Sequence, residues 1–336
     1  MMEKIKVGLL GFGGIGQAHY QHYQLLEKEG SPIQLQAICD ANLEQVKRVI
    51  GGEHREYDLY TKLTDMLRDD TLDYIDICLP TYLHAEASIE ALRHNKHVFC
   101  EKPMALNSTE CQAMIKAAED NNRLLMIAQC LRFMTYYRYL KDCVASGRLG
   151  KVISADFFRG ANPPLYSANR WMLDERLSGG GLLDLHIHDV DMIYWLFGRP
   201  EWVSAVGQNV YEGSGYDVVS AHFGYGDQKV IHAASDWSLE GDYEFQMTFR
   251  VNFERGNLVL TNEGLKENLR DGGSFIPDLD DRSGIYGEIK YFADVIRRSA
   301  LIETVPLADS LSVIQLIESE RASIEQNGAK IKPGWN

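Results

Sequence analysis

A chain of 336 residues exceeds what one ordinary hydrophobic core organises, so two domains are expected. Hydrophobic residues at 45% and charged residues at 24% are ordinary globular values and exclude a disordered chain. A formal net charge of −14 disfavours nucleic acid and anionic membrane surfaces as partners, so an anionic cofactor must be held by local backbone amides.

The opening residues MMEKIKVGLL contain no long apolar stretch followed by a small-residue cleavage site. No run reaches the roughly 18–20 apolar residues of a membrane span. The six cysteines (Cys39, Cys78, Cys100, Cys111, Cys130, Cys143) form no Cys-x-x-Cys pair and several lie in apolar runs. Buried free thiols in a cytoplasmic protein are expected.

Residues 1–130 alternate in type. Apolar strand-like runs at 5–10, 33–39, 74–79, 97–100 and 124–130 are separated by helix-like runs at 15–29, 42–50, 82–95 and 107–121. Near-continuous apolar strands in a βαβ alternation predict a parallel sheet covered on both faces, the first of two domains. Beyond a helical run at 134–146, alternating strand patterns appear near 151–159, 202–211, 217–224, 229–238, 244–254 and 257–261. Strand following strand predicts an α+β domain over 131–336, with an open, largely antiparallel sheet. Helical runs near 286–299 and 307–327 close the chain, the second bounded by Pro306 and Gly328.

Gly11-Phe12-Gly13-Gly14-Ile15-Gly16 follows the first strand and opens the first helix. In that context G-x-G-x-x-G permits a tight turn and brings free helix N-terminal amides to a pyrophosphate. Asp40 ends the second strand, where a carboxylate accepts hydrogen bonds from ribose hydroxyls and repels a 2′-phosphate. Ala41 and Asn42 follow, with no arginine to pair with that phosphate, so the expected cofactor is NAD. The same Asp could serve as N-cap to helix 42–50.

Glu101-Lys102-Pro103 follows the strand HVFC, at the end where open α/β sheets bind ligands. Further on, Gly179-Gly180-Gly181 precedes a helical run that carries Asp184 and His188, four residues apart and so on one face of a regular helix. An imidazole with a neighbouring carboxylate suits a general base, and a lysine suits a developing alkoxide. His186 and His188 also invite a metal reading. Residues two apart on a regular helix diverge, however, so these imidazoles do not chelate one ion and no metal is expected.

These segments resemble the glucose–fructose oxidoreductase / inositol dehydrogenase / MocA family. The resemblance rests on the glycine loop, Pro80-Thr81-Tyr82-Leu83-His84, Lys96-His97-Val98-Phe99-Cys100-Glu101-Lys102-Pro103 and SGGGLLDLHIHDVD at 178–191. It implies a Rossmann domain joined to an α/β domain whose open sheet forms a dimer or tetramer. It also implies hydride transfer between NAD and a carbinol carbon of a sugar, inositol or related polyol. By the same resemblance Lys102, Asp184 and His188 take the catalytic positions, and Pro80, Thr81, His84, Glu101 and Pro103 lie beside the cofactor. Arg132, Asn169, Arg170 and Trp171 take substrate-side positions with Lys102, Asp184 and His188. Thr81 stands where many members have Asn, and His186 where many have Gly, which sets a second imidazole two residues from the expected base. Two other readings share this pattern: a catalytically idle NAD-binding sensor or regulatory protein, and an NAD-dependent glycosidase that uses a transient redox step.

Overall fold

The computed structural model describes residues 4–51, 57–280 and 282–335. The chain divides into two compact units, Met1–Phe133 with Arg282–Leu307, and Met134–Asp281 with Ala308–Asn336. The boundary near residue 130 falls within a few residues of the first crossing. The span 131–336 assigned to the second domain needs correction, because residues 282–307 return to the first unit.

In the first unit the strands are β1 (Ile5–Leu10), β2 (Ile33–Cys39), β3 (Asp58–Tyr60), β4 (Tyr74–Ile77), β5 (His97–Glu101) and β6 (Leu125–Ala128). Between them run α1 (Gly14–Lys28), α2 (Leu43–Ile50), α3 (Leu63–Met66), α4 (His84–Arg93) and α5 (Ser108–Asp120). All pairings are parallel and the strand order is β3-β2-β1-β4-β5-β6. The order reverses between β1 and β4, so the crevice beyond their C-terminal ends is where such sheets take ligands.

The second unit opens with α6 (Thr135–Ser146), β7 (Val152–Gly160), α7 (Glu175–Ser178) and α8 (Ile187–Phe197). Its sheet continues through β8 (Trp202–Gln208), β9 (Val218–Gly224), β10 (Val230–Asp236), β11 (Gln246–Phe253), β12 (Gly256–Thr261), β13 (Gly264–Leu269) and β14 (Ser274–Phe275). The eight strands are ordered β14-β13-β12-β11-β7-β10-β9-β8 and pair antiparallel except β7 with β10. One face is buried through Ala155, Phe157, Val219, Ala221, Ile231, Ala233, Phe249 and Val251. At its centre the other face is polar. Asp156 Oδ1 and Ser220 Oγ flank the His232 ring at 2.7 and 2.9 Å, and the His222 ring lies 4.7 Å away. Exposed Ile153, Val206 and Val230 stand around that polar centre.

Two helices complete the chain, α9 (Gly284–Arg298) and α10 (Leu307–Glu325). The apolar stripe of α9 explains the return to the first unit. Phe292 sets its ring edge-on to Tyr74 and stacks on Phe99, and Ile289 and Ala293 are buried in the same core. Burying one such aromatic contributes about 1.5–3 kcal/mol. No described helix is long and apolar enough to cross a membrane. All six cysteines are free, and all but Cys130 are buried.

Candidate active site

The glycine loop is built from unlike glycines. Gly11 has φ +91°, and a Cβ there would lie 2.5 Å from the Cys78 carbonyl oxygen; one on Gly16 would lie 2.1 Å from the Gly11 carbonyl oxygen. Those two let the turn pack on itself and on the strand beside it. A Cβ on Gly13 or Gly14 would meet nothing within 4 Å, so the loop presents bare backbone to open space. Gly13 caps α1 without a side-chain hydrogen bond, which leaves first-turn amides for a ligand. This cradle fits a pyrophosphate. Phe12 is buried, and Ile15 is exposed beside it.

Asp40 is tied to the same loop. Its Oδ2 accepts the Phe12 amide and its Oδ1 the Asn42 amide, each at 2.7 Å. A carboxylate has about four acceptor sites, so capacity remains for ribose hydroxyls. Asn42, not Asp40, caps α2, accepting the Gln45 amide at 3.2 Å.

The Pro80 turn leads through buried Thr81 to His84, which is buried at the start of α4. The His84 ring nitrogens lie 2.8 Å from the carbonyl oxygens of Pro103 and Leu79, which ties the turn after β4 to the turn after β5. Burial pushes its pKa below the usual histidine range. Glu101 is nearly buried at the end of β5, and its Oε2 accepts the Lys102 amide at 3.0 Å. Its Oε1 lies 3.0 Å from His19 Nε2. Lys102 is half-buried, and the Lys102–Pro103 peptide bond is cis. The glycine loop, Asp40, the Pro80 turn and Glu101–Pro103 therefore share the C-terminal edge of one parallel sheet.

Arg132 lies in the first unit too, fully buried, with its guanidinium donating to the Thr304 carbonyl at 2.9 Å. This bond ties Arg132 to the returning segment 282–307.

In the second unit, Gly179 and Gly180 take φ +80° and +72°. A Cβ on Gly180 would lie 2.2 Å from the Ser214 carbonyl oxygen. Only glycine gives this left-handed entry and close approach together. The helical run that carries Asp184 and His188 begins not as a regular helix but as a π-helical turn, Leu182–His186, which passes into α8. A single π turn re-aims side chains and often marks a functional site. From Ser178 to Ile193, all described, Asp184 and His188 alone are not fully buried. Both are half-buried, on the π turn and at the start of α8. His186 is completely buried, with Nε2 at 3.2 Å from Glu320 Oε2 on α10. Behind the same helix Asp189 takes a bidentate, buried ion pair from Arg159, both contacts at 3.0 Å. Asn169 and Arg170 sit on an exposed turn at φ +52° and +54°, and Trp171 beside them is half-buried. Consecutive non-glycine residues in the left-handed region are uncommon and cost free energy, so the fold imposes this turn.

Sequence reasoning missed His19, Glu288, Arg159 and Glu320, whose partners lie far away along the chain. His19, one turn beyond the glycine loop, was visible only as a histidine in an apolar helix face.

Comparison with known proteins decides the family. Residues 5–129 match a family model described as an oxidoreductase family with an NAD-binding Rossmann fold, and residues 137–259 match the GFO/IDH/MocA C-terminal domain. The chain belongs to the GFO/IDH/MocA family. Its first unit is an NAD-binding Rossmann domain, as the glycine loop and Asp40 imply. Among its relatives, levoglucosan dehydrogenase of Pseudarthrobacter phenanthrenivorans is 31% identical over 61% of this chain and 54% of its own length. Myo-inositol 2-dehydrogenase of Thermotoga maritima is 29% identical over 58% of this chain and 55% of its own. The matched part is thus little more than half of these relatives. A solved structure titled levoglucosan dehydrogenase in complex with NADH and levoglucosan superimposes with a TM-score of 0.87 at 21% identity. It covers 98% of this chain and 100% of that one, and it shares the fold.

Proposed function

We propose that this GFO/IDH/MocA member moves a hydride between NAD and a carbinol carbon of a sugar, inositol or related polyol. The observation that carries the reading is that Asp184 and His188 alone are half-buried between the buried residues of Ser178–Ile193, in a chain of this family. NAD, when bound, supplies the hydride acceptor. Gly13, Gly14 and the first turn of α1 hold its pyrophosphate, and Asp40 reads its ribose. Pro80, Thr81, His84, Glu101 and Pro103 form the sheet edge that lines the cofactor. His188 accepts the hydroxyl proton and Asp184 supports the resulting imidazolium. Lys102 supplies a positive charge to the alkoxide oxygen. Asn169, Arg170 and Trp171 form a substrate-side turn, and the left-handed backbone of Asn169 and Arg170 is a costly conformation that suits a binding role. The names of the two relatives support a polyol substrate, and the open face of the eight-stranded sheet is the proposed surface of a homo-oligomer.

The test is NADH appearance by absorbance across a panel of inositols, aldoses, anhydrosugars and deoxy sugars. Turnover of at least one member is expected. Protein that binds NAD yet reduces it with none of them would favour an idle NAD-binding sensor.

A further inference from the structure

His19 lies on α1, three residues beyond the last loop glycine, and is fully buried. Its Nδ1 is 2.8 Å from Asp76 Oδ2 on β4, and its Nε2 is 3.0 Å from Glu101 Oε1 at the end of β5. With a carboxylate accepting at each ring nitrogen, both nitrogens donate and the ring is an imidazolium. Burial opposes the charged ring, but the Asp76 carboxylate beside it outweighs burial and raises the His19 pKa well above the usual histidine range. The Asp76 carboxylate is itself held, since its Oδ2 also accepts the Tyr23 hydroxyl at 2.7 Å and Tyr23 contacts Tyr74. The ring stacks on Phe99. Such a ring has no room to turn.

We propose that His19 is a positioning residue, whose imidazolium fixes the Glu101 carboxylate so that Glu101 in turn holds the backbone of Lys102. The geometry runs without a gap. Asp76 fixes His19, His19 fixes Oε1 of Glu101, and Oε2 of Glu101 accepts the Lys102 amide at 3.0 Å. Glu288 of α9 closes the set. It is fully buried, its carboxylate lies within 4.8 Å of the His19 and Glu101 donor atoms, and neither of its oxygens has a hydrogen-bond partner. One imidazolium already faces two carboxylates, so a third charge there is opposed. Burial and the charge of Glu101 push the Glu288 pKa well above the carboxylate range. Glu288 therefore stays a neutral acid and leaves the His19–Glu101 bond intact. Cys78, 3.6 Å from Asp76 Oδ1, is likewise kept as a thiol by burial. The role of Lys102 rests on the proposed function, whereas the clamp on its backbone does not.

Two readouts separate these claims. The first is amide hydrogen exchange in His19→Gln, which keeps one donor and removes the charge. Exchange at the Lys102 amide should rise about tenfold, the equivalent of one weakened hydrogen bond, with α1 and the neighbouring strands unchanged. Unchanged exchange at Lys102, or an equal rise across the whole unit, would overturn the proposal. The second is a cycle of His19→Gln, Glu101→Gln and the double variant, read as kcat at saturating NAD. Each single change should lower kcat about 10- to 100-fold through displacement of Lys102, and the double variant should be no worse than the poorer single. Multiplying effects would contradict action through Glu101. One divalent metal per chain in purified protein would also contradict it, because a metal shared with Glu101 and Glu288 requires neutral His19. Wild-type protein inactive on every polyol would sink the proposed function and leave the exchange result to stand alone.

Discussion

Each unit buries a histidine beside a carboxylate, and the two are held in opposite ways. His19 has both ring nitrogens on carboxylate oxygens at 2.8 and 3.0 Å. His186 sits 3.2 Å from Glu320, yet neither ring nitrogen nor either Glu320 oxygen makes a hydrogen bond of good geometry. A buried ring bonded at both nitrogens holds the groups it touches, and one bonded at neither mainly costs desolvation. His19 therefore transmits orientation toward Lys102. His186 instead is buried against α10, in the stretch that leaves Asp184 and His188 half-buried.

That contrast ranks the side chains by expected effect. His188→Ala should lower kcat about 10²- to 10⁴-fold with NAD affinity nearly unchanged, measured by steady-state kinetics and cofactor titration. Asp40→Ala acts on the other unit and on binding. The favourable gap of NAD over NADP should be about 1–3 kcal/mol in the wild type, roughly 5- to 150-fold in Kd, and should narrow in the variant. Because Asp40 also holds the Phe12 and Asn42 amides, NAD itself should bind more weakly to that variant.

A third prediction uses pH to compare a buried carboxyl with the buried imidazole beside it. The Glu288 pKa is raised in the folded state, so the fold binds that proton more tightly than the unfolded chain does. Its contribution to stability is present below the ordinary carboxylate pKa and is lost as pH rises through the raised folded value. His19 acts in the same direction, its contribution full below the ordinary histidine pKa and lost through its raised one. Glu288→Gln should remove the carboxyl part of this slope. The urea midpoint of the variant should match the wild type at acid pH and equal or exceed it at alkaline pH. A lower midpoint at alkaline pH would mean that Glu288 is ionised and paired. The smallest effect is expected of His186→Ala, a loss in kcat below about 10-fold, well short of a general base. A larger loss than that of His188→Ala would reverse the comparison.

The elements of the Rossmann unit were legible because parallel strands covered on both faces read as apolar runs, and the glycine loop is local chemistry. Short edge strands were not. Asp58–Tyr60 and Ser274–Phe275 have two or three residues and no apolar pattern, and Gly264–Leu269 is half polar. The parallel pairing of β7 with β10 and the return of α9 depend on contacts far along the chain, which periodicity does not carry. For the site, motif residues such as Gly11, Asp40, Lys102, Asp184 and His188 stood out by position. Partners such as Glu288, Glu320 and Arg159 did not, because each acquires its meaning from a side chain 30 to more than 250 positions away. The π turn at Leu182–His186 also escaped a reading based on regular helix spacing, although the separation of His186 from His188 survives it.

The most direct measurement is the pH dependence of kcat for polyol oxidation in the wild type and in His188→Ala, at saturating NAD. Wild-type kcat should rise through a single group in the histidine range, about pH 6 to 8, as the base loses its proton. His188→Ala should show a low rate without that limb, while His186→Ala keeps it. A limb retained in His188→Ala, or lost in His186→Ala, would contradict the assignment of the base.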